Sequence, residues 1–250
     1  MPRIRLDALL VERDLAPSRT RAQSLIMARR VRVGGVHVDK PGTLVSDDAE
    51  LSVDEPEHPW VGRGGVKLAG ALEAFAVDPA GRICADIGAS TGGFTDVLLQ
   101  RGASKVYAID VGYGQLDQKL RDDPRVVVRE KTNARYLEAA DFDDPVSLAA
   151  IDVSFISLRL ILPAVVRFLA PGGDVVALVK PQFEVGKGEV GKGGIVRDDA
   201  LRERTIRGIE SFARELGFDV RGTVESPIRG AEGNVEALLH AVWPGGAEER

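Results

Sequence analysis

Residues 83–99 (ICADIGASTGGFTDVLL) constrain the fold of this chain more than any other stretch. Their apolar start ends at Asp86, and a loop that contains Gly88, Gly92 and Gly93 leads into an apolar pattern with helical spacing. The loop differs from the dinucleotide-binding pattern G-x-G-x-x-G, and no Lys-Ser or Lys-Thr follows it as in a Walker loop. We predict a buried parallel strand, a turn that lets a ligand approach the backbone, and a helix N-terminus that faces the ligand. A glycine turn in another kind of doubly wound domain is the alternative.

Length and composition exclude several classes of protein. A chain of 250 residues has room for one large domain and one small domain. No apolar run approaches the roughly 18 residues of a membrane span, and the N-terminus lacks a signal-peptide pattern. Cys84 is the single cysteine, and His37, His58 and His240 lie far apart, so we expect no metal site. These features predict a cytoplasmic protein.

The charge is distributed unevenly along the chain. Residues 1–46 carry a net charge of +5, the remainder carries −10, and every charged residue from Asp47 to Pro59 is acidic. A basic head joined to an acidic body predicts a nucleic-acid-binding module attached to a different domain. We place a small α+β domain at residues 1–59, a linker at 60–63 and the larger domain at 64–246.

The head contains recognisable elements. A short helix is predicted to end near Arg13, and a second helix follows with Ser18 as its N-cap. A hairpin with alternating valines turns at Gly34-Gly35, and another short strand runs from Thr43 to Val45.

Five arginines lie between residues 19 and 32 with no acidic residue among them. A solvated helix face is one interpretation, and a phosphate-binding surface is the other. The order of elements resembles the small RNA-binding module named after ribosomal protein S-four, whose second helix and hairpin hold structured RNA. The resemblance favours the second interpretation, and we predict RNA contacts from Arg5, Arg19, Arg21, Arg29, Arg30, Arg32 and, farther along, Arg63.

The remainder of the chain alternates between strand and helix patterns, which predicts an α/β doubly wound sheet with ligands at the carboxyl ends of its strands. Strands are predicted at 83–87, 105–109, 126–128, 148–153, 175–179, 218–224 and 236–242. Helices are predicted at 66–75, 91–100, 116–120, 158–168 and 201–216. The last two strands are joined by a turn-like segment, which predicts an antiparallel finish.

Several polar residues stand at the ends of these predicted strands. Asp110 is placed to accept hydrogen bonds from ribose hydroxyls, although a helix N-cap is an alternative role. Four charged residues occupy positions that burial normally excludes: Lys67, Asp152, Lys180 and Glu236. Singly, each is explained equally well as a salt-bridge partner, but together they indicate a site.

The glycine loop resembles the first motif of class I S-adenosylmethionine-dependent methyltransferases, with their Rossmann-like sheet. The order Lys-Asp-Lys-Glu resembles the catalytic tetrad of FtsJ-like RNA ribose methyltransferases. The whole arrangement, with GRGGVKL, IDVSFISL, LVKPQFE and G-N-x-E, resembles the TlyA family, also known as hemolysin A. The resemblance implies that S-adenosylmethionine contacts Asp86, Gly88, Ser90, Thr91, Gly92, Gly93, Phe94, Asp110, Asn133 and Asp152.

The family resemblance implies 2′-O-methylation of cytidine riboses in ribosomal RNA of assembled subunits. Such a reaction needs an aligned hydroxyl and removal of its proton. A lysine with an ordinary pKa near 10.4 is a poor base at neutral pH, but a second lysine and a dry site favour its neutral form. We expect Lys180 to accept or steer the proton with help from Lys67. Asp152 would orient Lys180, and Glu236 would complete the network.

Other chemistries fit the sequence less well. Cys84 lies inside an apolar strand rather than at a nucleophile position, and the N-P-P-Y motif of amino-group methylases is absent. The glycine-rich segment from Gln182 to Arg197 lacks the Ser or Thr of a Walker loop, so we interpret it as a mobile loop whose Lys187 and Lys192 contact RNA phosphates. A nucleotide-binding loop is the alternative. Two rival functions remain, a membrane-lytic hemolysin and a non-catalytic RNA-binding assembly factor.

Overall fold

The computed structural model describes residues 3–27, 29–54, 58–186, 188–191, 193–230 and 232–245. The chain divides into two compact units, Met1–Pro59 and Trp60–Arg250. Trp60 packs against the core of the second unit, so the unit boundary precedes the linker predicted at residues 60–63. Lys187 and Lys192 lie outside the described residues.

The first unit packs two helices against short strands. The helices are α1 (Leu6–Glu12) and α2 (Arg19–Met27). The strands are β1 (Arg3–Arg5), β2 (Val31–Val33), β3 (Val36–Val38), β4 (Leu44–Ser46) and β5 (Leu51–Val53). β1 pairs with β4, and β2 lies between β3 and β5, with every pair antiparallel. Gly34 and Gly35 adopt φ of 54° and 78°, as a two-residue hairpin turn between β2 and β3 requires.

The second unit is a seven-stranded sheet covered by helices on both faces. Its strands are β6 (Ile83–Ile87), β7 (Lys105–Ile109), β8 (Val126–Arg129), β9 (Val146–Ile151), β10 (Leu169–Val179), β11 (Asp219–Glu225) and β12 (Ala237–Trp243). Its helices are α3 (Gly64–Phe75), α4 (Gly93–Gln100), α5 (Gln118–Arg121), α6 (Leu162–Phe168), α7 (Pro181–Glu184) and α8 (Asp199–Glu215). The strand order is β11-β12-β10-β9-β6-β7-β8, and β12 runs antiparallel to the other six strands.

Alternate side chains of the central strands point into two different cores. In β6, Cys84 packs in the core with α3 and α4, whereas Ala85 and Ile87 pack in the core with α6 and α8. Burial on both faces is why the parallel strands are nearly continuous apolar runs. The predicted α/β class and the antiparallel final strand are therefore confirmed.

The structure departs from the predicted elements in a few places. β1 and β5 were not predicted, because no turn signal or alternating valine pattern marks them as it marks β2 and β3. The helix predicted at 158–168 is divided into a 3₁₀ turn, Leu158–Leu160, and α6, whose first turn holds Pro163. Helix α7 occupies the start of the glycine-rich segment, which was predicted to be irregular up to about residue 198.

No helix in the described ranges is both long and apolar enough to cross a membrane. Within the same ranges, no group of three or more His, Cys, Asp or Glu side chains is arranged to hold a metal ion.

A polar cluster around Asp174 joins four strands at the amino-terminal side of the sheet. Asp174 in β10 accepts from Arg82 Nη1, just before β6, at 2.7 Å, and lies 2.7 Å from His240 Nε2 in β12. Arg82 also donates to Ser147 in β9. Burial raises the pKa of Asp174, but hydrogen bonds from His240 and Arg82 outweigh this effect and leave the pKa below its ordinary value.

We predict that Asp174→Asn lowers the free energy of unfolding by about 1–3 kcal/mol near neutral pH. Because the folded-state pKa is lowered, the carboxylate contributes stability above its unfolded-state pKa and loses it as the pH falls through the folded-state value. The difference in the free energy of unfolding between Asp174→Asn and the wild type should therefore become smaller in acid, as measured by urea unfolding over a pH series. Asp219→Asn is the control, because Asp219 pairs with Arg221 at an exposed site. Equal stability of Asp174→Asn and the wild type near neutral pH would contradict the prediction.

Candidate active site

The carboxyl ends of the parallel strands meet at one edge of the sheet in the second unit. Main-chain hydrogen bonds lock them together: Gly88 N donates to Ile109 O at 2.8 Å, and Asp152 N donates to Ile87 O at 2.9 Å. A cavity of about 370 Å³ opens at this edge. It is lined by Ile87, Gly88, Ser90, Ile109, Asp110, Val111, Gln115, Thr132, Asn133, Ala134, Asp152, Val153, Ser154, Phe155, Ile156 and Ile161. Five residues predicted to contact the cofactor are among them: Gly88, Ser90, Asp110, Asn133 and Asp152.

Gly88 is the point of closest backbone approach at the cavity. Its φ is 87°, and a Cβ placed on it would lie 2.4 Å from the carbonyl oxygen of Asp152. Any side chain here would push β6 away from β9. The glycine therefore sets the spacing between the loop after β6 and the residue that ends β9.

The other glycines of the loop serve packing rather than the cavity. A Cβ on Gly92 would lie 2.2 Å from Leu120 Cδ1, and one on Gly93 would lie 2.9 Å from Gly65 N. A Cβ on Gly62 would lie 2.8 Å from Thr91 Oγ1. The glycine loop thus packs closely against α5 and against the start of α3.

Three further predicted cofactor residues do not line the cavity. Thr91 is exposed, and Phe94 is buried in the core that contains α3 and α4. Asp86 is fully buried, and its Oδ2 accepts from Thr95 N at 2.8 Å and Thr95 Oγ1 at 2.6 Å, so it anchors the first turn of α4. Burial raises the pKa of Asp86 to about 7, with the Thr95 hydrogen bonds opposing the shift. Its Oδ1 is buried and has no hydrogen-bond partner in the described part of the chain.

Asp110 holds two loops at the cavity wall. Its Oδ2 accepts from Ser90 N at 2.8 Å, and its Oδ1 accepts from Gly112 N at 2.7 Å. Each carboxylate oxygen retains a free lone pair for a further donor. Asn133 also lines the cavity, while its Oδ1 accepts from Arg135 N at 3.1 Å and caps a 3₁₀ turn.

The four charged residues singled out in the sequence form two ion pairs. Lys67 Nζ lies 2.5 Å from Glu236 Oε2, and Lys180 Nζ lies 2.5 Å from Asp152 Oδ1. Lys67 is 8% exposed, Lys180 9% and Glu236 2%, so these charges are largely removed from water. Lys180 also donates to Ser154 Oγ at 2.9 Å.

The two ion pairs belong to one neighbourhood. Gly64, in the first turn of the helix that carries Lys67, is so placed that a Cβ on it would lie 3.6 Å from Asp152 Oδ2. Gln182, two residues after Lys180, donates to Glu236 Oε1 at 3.4 Å. Paired lysines and carboxylates of this kind can orient an ammonium group, hold a polar substrate and move a proton.

Sequence reasoning missed two residues beside the tetrad. Phe155 is 91% exposed and has a φ of 63°, and its ring centroid lies 5.1 Å from that of Phe183. Glu184 accepts from Ser157 Oγ at 2.5 Å and Leu158 N at 2.7 Å, which ties the segment after Lys180 to the segment after Asp152. Burial raises the pKa of Glu184. Both residues stand in motifs quoted above, IDVSFISL and LVKPQFE, but their roles depend on contacts between separate loops.

The predicted RNA-binding arginines of the first unit divide into two groups. The absence of acidic residues between positions 19 and 32 does not leave all of them unpaired, because carboxylates arrive from elsewhere in the fold. Arg5 and Arg19 both contact the buried Asp7 at 2.8 Å and 3.3 Å, and Arg32 contacts Asp54 at 2.9 Å. The Arg5 guanidinium, with help from Gln23 and Arg19, holds the pKa of Asp7 well below its usual range.

The remaining basic residues have fewer partners. Arg30 donates to the carbonyl of Asp54, and Arg63 of the second unit donates to Arg229 O at 3.0 Å. Arg21 and Arg29 are exposed, and neither side chain makes an ion pair or hydrogen bond within the described ranges. Two exposed guanidinium groups are thus free for an anionic partner.

Comparisons with known proteins agree with this geometry. The family model described as FtsJ-like methyltransferase matches residues 60–242, and the model described as S4 domain matches residues 4–51. The 16S/23S rRNA (cytidine-2'-O)-methyltransferase TlyA of Mycobacterium tuberculosis is 54% identical over 95% of this chain and 89% of its own length. Hemolysin A of Brachyspira hyodysenteriae is 43% identical over 96% of this chain and all (100%) of its own. A solved structure of a candidate hemolysin from Streptococcus thermophilus has a TM-score of 0.76 and 47% identity, covering 97% of this chain and 89% of that one.

We predict that Gly88→Ala destabilises the protein and weakens binding of S-adenosylmethionine, because its Cβ would collide with the Asp152 carbonyl. Gly81→Ala is the matched control, since Gly81 also has a positive φ, 72°, but no atom within 4 Å of its Cβ position. The control should cost about 1–2 kcal/mol for left-handed backbone alone. Gly88→Ala should cost about 1–3 kcal/mol more from overpacking. Urea unfolding and titration calorimetry measure both effects, and equal stability with equal affinity in the two variants would refute the prediction.

Proposed function

The chain belongs to the FtsJ-like methyltransferase family, and from that membership we propose that it methylates the 2′-hydroxyl of cytidine riboses in ribosomal RNA, using S-adenosylmethionine. The observation that carries the proposal is the pair of largely buried lysine–carboxylate contacts beside the cavity. A ribose hydroxyl needs alignment and removal of a proton, which such pairs provide. Methylation of a ribose hydroxyl requires neither a cysteine nucleophile nor a site for an exocyclic amine.

The residues at the cavity fit S-adenosylmethionine. Asp110 has free lone pairs on both carboxylate oxygens for ribose hydroxyls, and Gly88 lines the cavity with main chain alone. Ile109 and Ile161 supply apolar walls. When bound, this cofactor supplies a methyl group activated by a sulfonium.

The tetrad would act on the acceptor hydroxyl. Lys180 is held by Asp152 and Ser154, so its Nζ has a defined direction at the end of β10. Lys180 would accept or steer the proton of the 2′-hydroxyl, and the donor that supplies the methyl group would leave as a neutral thioether when its carbon–sulfur bond breaks. Lys67, fixed by Glu236, would assist Lys180 at the same hydroxyl.

The first unit would supply the RNA contacts. We propose residues 1–59 as an S4-type RNA-binding domain, 60–63 as the linker and 64–246 as the methyltransferase domain. Arginines bind phosphates without reading sequence, so this domain would position the ribosomal RNA while the tetrad selects a hydroxyl. A ribosomal substrate also implies a cytoplasmic location.

We predict that Lys180→Ala and Lys67→Ala each reduce the rate of methyl transfer about 10²- to 10⁴-fold while S-adenosylmethionine still binds. The assay incubates ribosomal subunits with methyl-labelled cofactor and maps ribose methylation by mass spectrometry. Lys105→Ala is the matched control, because Lys105 also pairs with a carboxylate, Asp144, but at the opposite end of β7.

The same assay separates the rival functions. A wild type that binds ribosomal RNA but transfers no label to it would support the hypothesis of a non-catalytic assembly factor. Lysis of erythrocytes by the purified protein would support the hypothesis of a membrane-lytic hemolysin. Normal turnover in either tetrad variant would remove that lysine from the mechanism.

We predict that Arg21→Gln and Arg29→Gln each weaken binding to ribosomal RNA, because their guanidinium groups have no partner within the described ranges. Loss of one phosphate contact should lower the slope of log K against log salt concentration by about 1. Filter binding over a series of salt concentrations measures this slope. Arg207→Gln on α8 is the control, since Arg207 is exposed and pairs with Glu203. An unchanged slope in both unit 1 variants would place the RNA surface elsewhere.

A further inference from the structure

Asn234 lies in the connection between β11 and β12, two residues before Glu236, and is 1% exposed. Both ends of its amide are bonded to one segment of the glycine-rich loop. Its Oδ1 accepts from Val196 N at 3.0 Å, and its Nδ2 donates to Gly194 O at 2.9 Å. A buried side chain with both amide atoms satisfied by one distant segment holds that segment firmly.

The loop segment is shaped to fit this contact. Gly191 N donates to Ile195 O and Gly194 N donates to Gly191 O, both at 3.1 Å, so Gly194 and Ile195 are held beside Gly191. Val196 is 4% exposed. A Cβ on Gly194 would lie 2.7 Å from Glu232 Oε2, which shows how closely the turn approaches the β11–β12 connection.

The beginning of the same loop is also tied to this connection. Gln182 donates to Glu236 Oε1 at 3.4 Å, so the segment from Gln182 to Val196 is attached at both ends to residues 234–236. The connection itself is tight around the carboxylate. A Cβ on Gly230 would lie 2.6 Å from Glu236 Oε1, and Gly230 N donates to Asn234 O at 2.9 Å.

We propose that Asn234 is a positioning residue that holds the turn at residues 193–196 and the Glu236–Lys67 pair in one rigid arrangement. The inference rests on the proposed function, since that turn directly follows Lys192, a predicted phosphate contact. RNA seated on the loop is thereby placed in register with the lysine–carboxylate pairs. Asn234 itself touches no reacting atom, and it acts through the loop and through Glu236.

The test compares steady-state kinetics of Asn234→Ala and the wild type on ribosomal subunits. Loss of both amide bonds should raise KM for the RNA and lower kcat, reducing kcat/KM about tenfold or more. The Kd for S-adenosylmethionine should stay unchanged, because neither Asn234 nor the turn lines the cavity. Ser226→Ala is the control, since Ser226 Oγ donates to Ile228 O within the same connection, and the main-chain bond from Ser226 N to Glu236 O is retained in alanine.

A second variant keeps the shape of the side chain, in case Asn234→Ala does not fold. Asn234→Asp retains the acceptor for Val196 N but loses the donor to Gly194 O. A KM for RNA above that of Ser226→Ala supports the proposal, and a KM equal to it contradicts the proposal.

Kinetics of Asn234→Ala that match Ser226→Ala would overturn the proposal. A fall in kcat equal to the unfolded fraction, with KM unchanged, would also overturn it, because this is the result of a purely structural role. A wild type that methylates no RNA would instead contradict the proposed function, so the two failures are distinguishable.

Discussion

Two lysine ammonium groups are held almost out of water in this chain, and their need for compensating charge organises the carboxyl end of the sheet. Removing an ammonium group from water costs several kcal/mol unless a carboxylate and further hydrogen bonds replace the lost solvation. Lys180 meets this need through Asp152 and Ser154, and Lys67 meets it through Glu236. The ends of β9 and β10, the start of β12 and the first turn of α3 must therefore converge. The site is the place where these four elements meet.

Close backbone packing makes that convergence possible. Gly88 allows the loop after β6 to approach the Asp152 carbonyl, while Gly62 and Gly93 let the start of α3 lie against the start of α4. Larger side chains at these positions would separate Lys67 from the strands that carry Asp152 and Lys180. Close backbone packing thus accounts for the glycines of the loop after β6 and of the segment before α3 as much as a ligand does.

Much of the fold was predictable because burial on both faces of a parallel sheet leaves long apolar runs. The strands predicted at 83–87 and 105–109 match β6 and β7 residue for residue. The grouping of the four charged residues was predictable in part because charged residues at the ends of such runs are conspicuous. Contacts between distant segments were not predictable. Asp7 pairs with Arg19 and Asp54 pairs with Arg32, although the segment that holds these arginines contains no acidic residue. Asp86 and Phe94 are buried in the protein, although their motif suggested contact with a ligand.

The sequence by itself determined the α/β class, the basic head and the identities of the four charged residues, because hydrophobic periodicity and residue type are local properties. Only the tertiary structure decided that Lys67 pairs with Glu236 and which glycines face the cavity. It also decided that Asn234 holds a loop 38 residues away in sequence. Those outcomes depend on the strand order, which places β12 beside β10 and brings residues far apart in the chain within hydrogen-bond distance. Such pairings are set by three-dimensional packing and leave no periodic trace in the sequence.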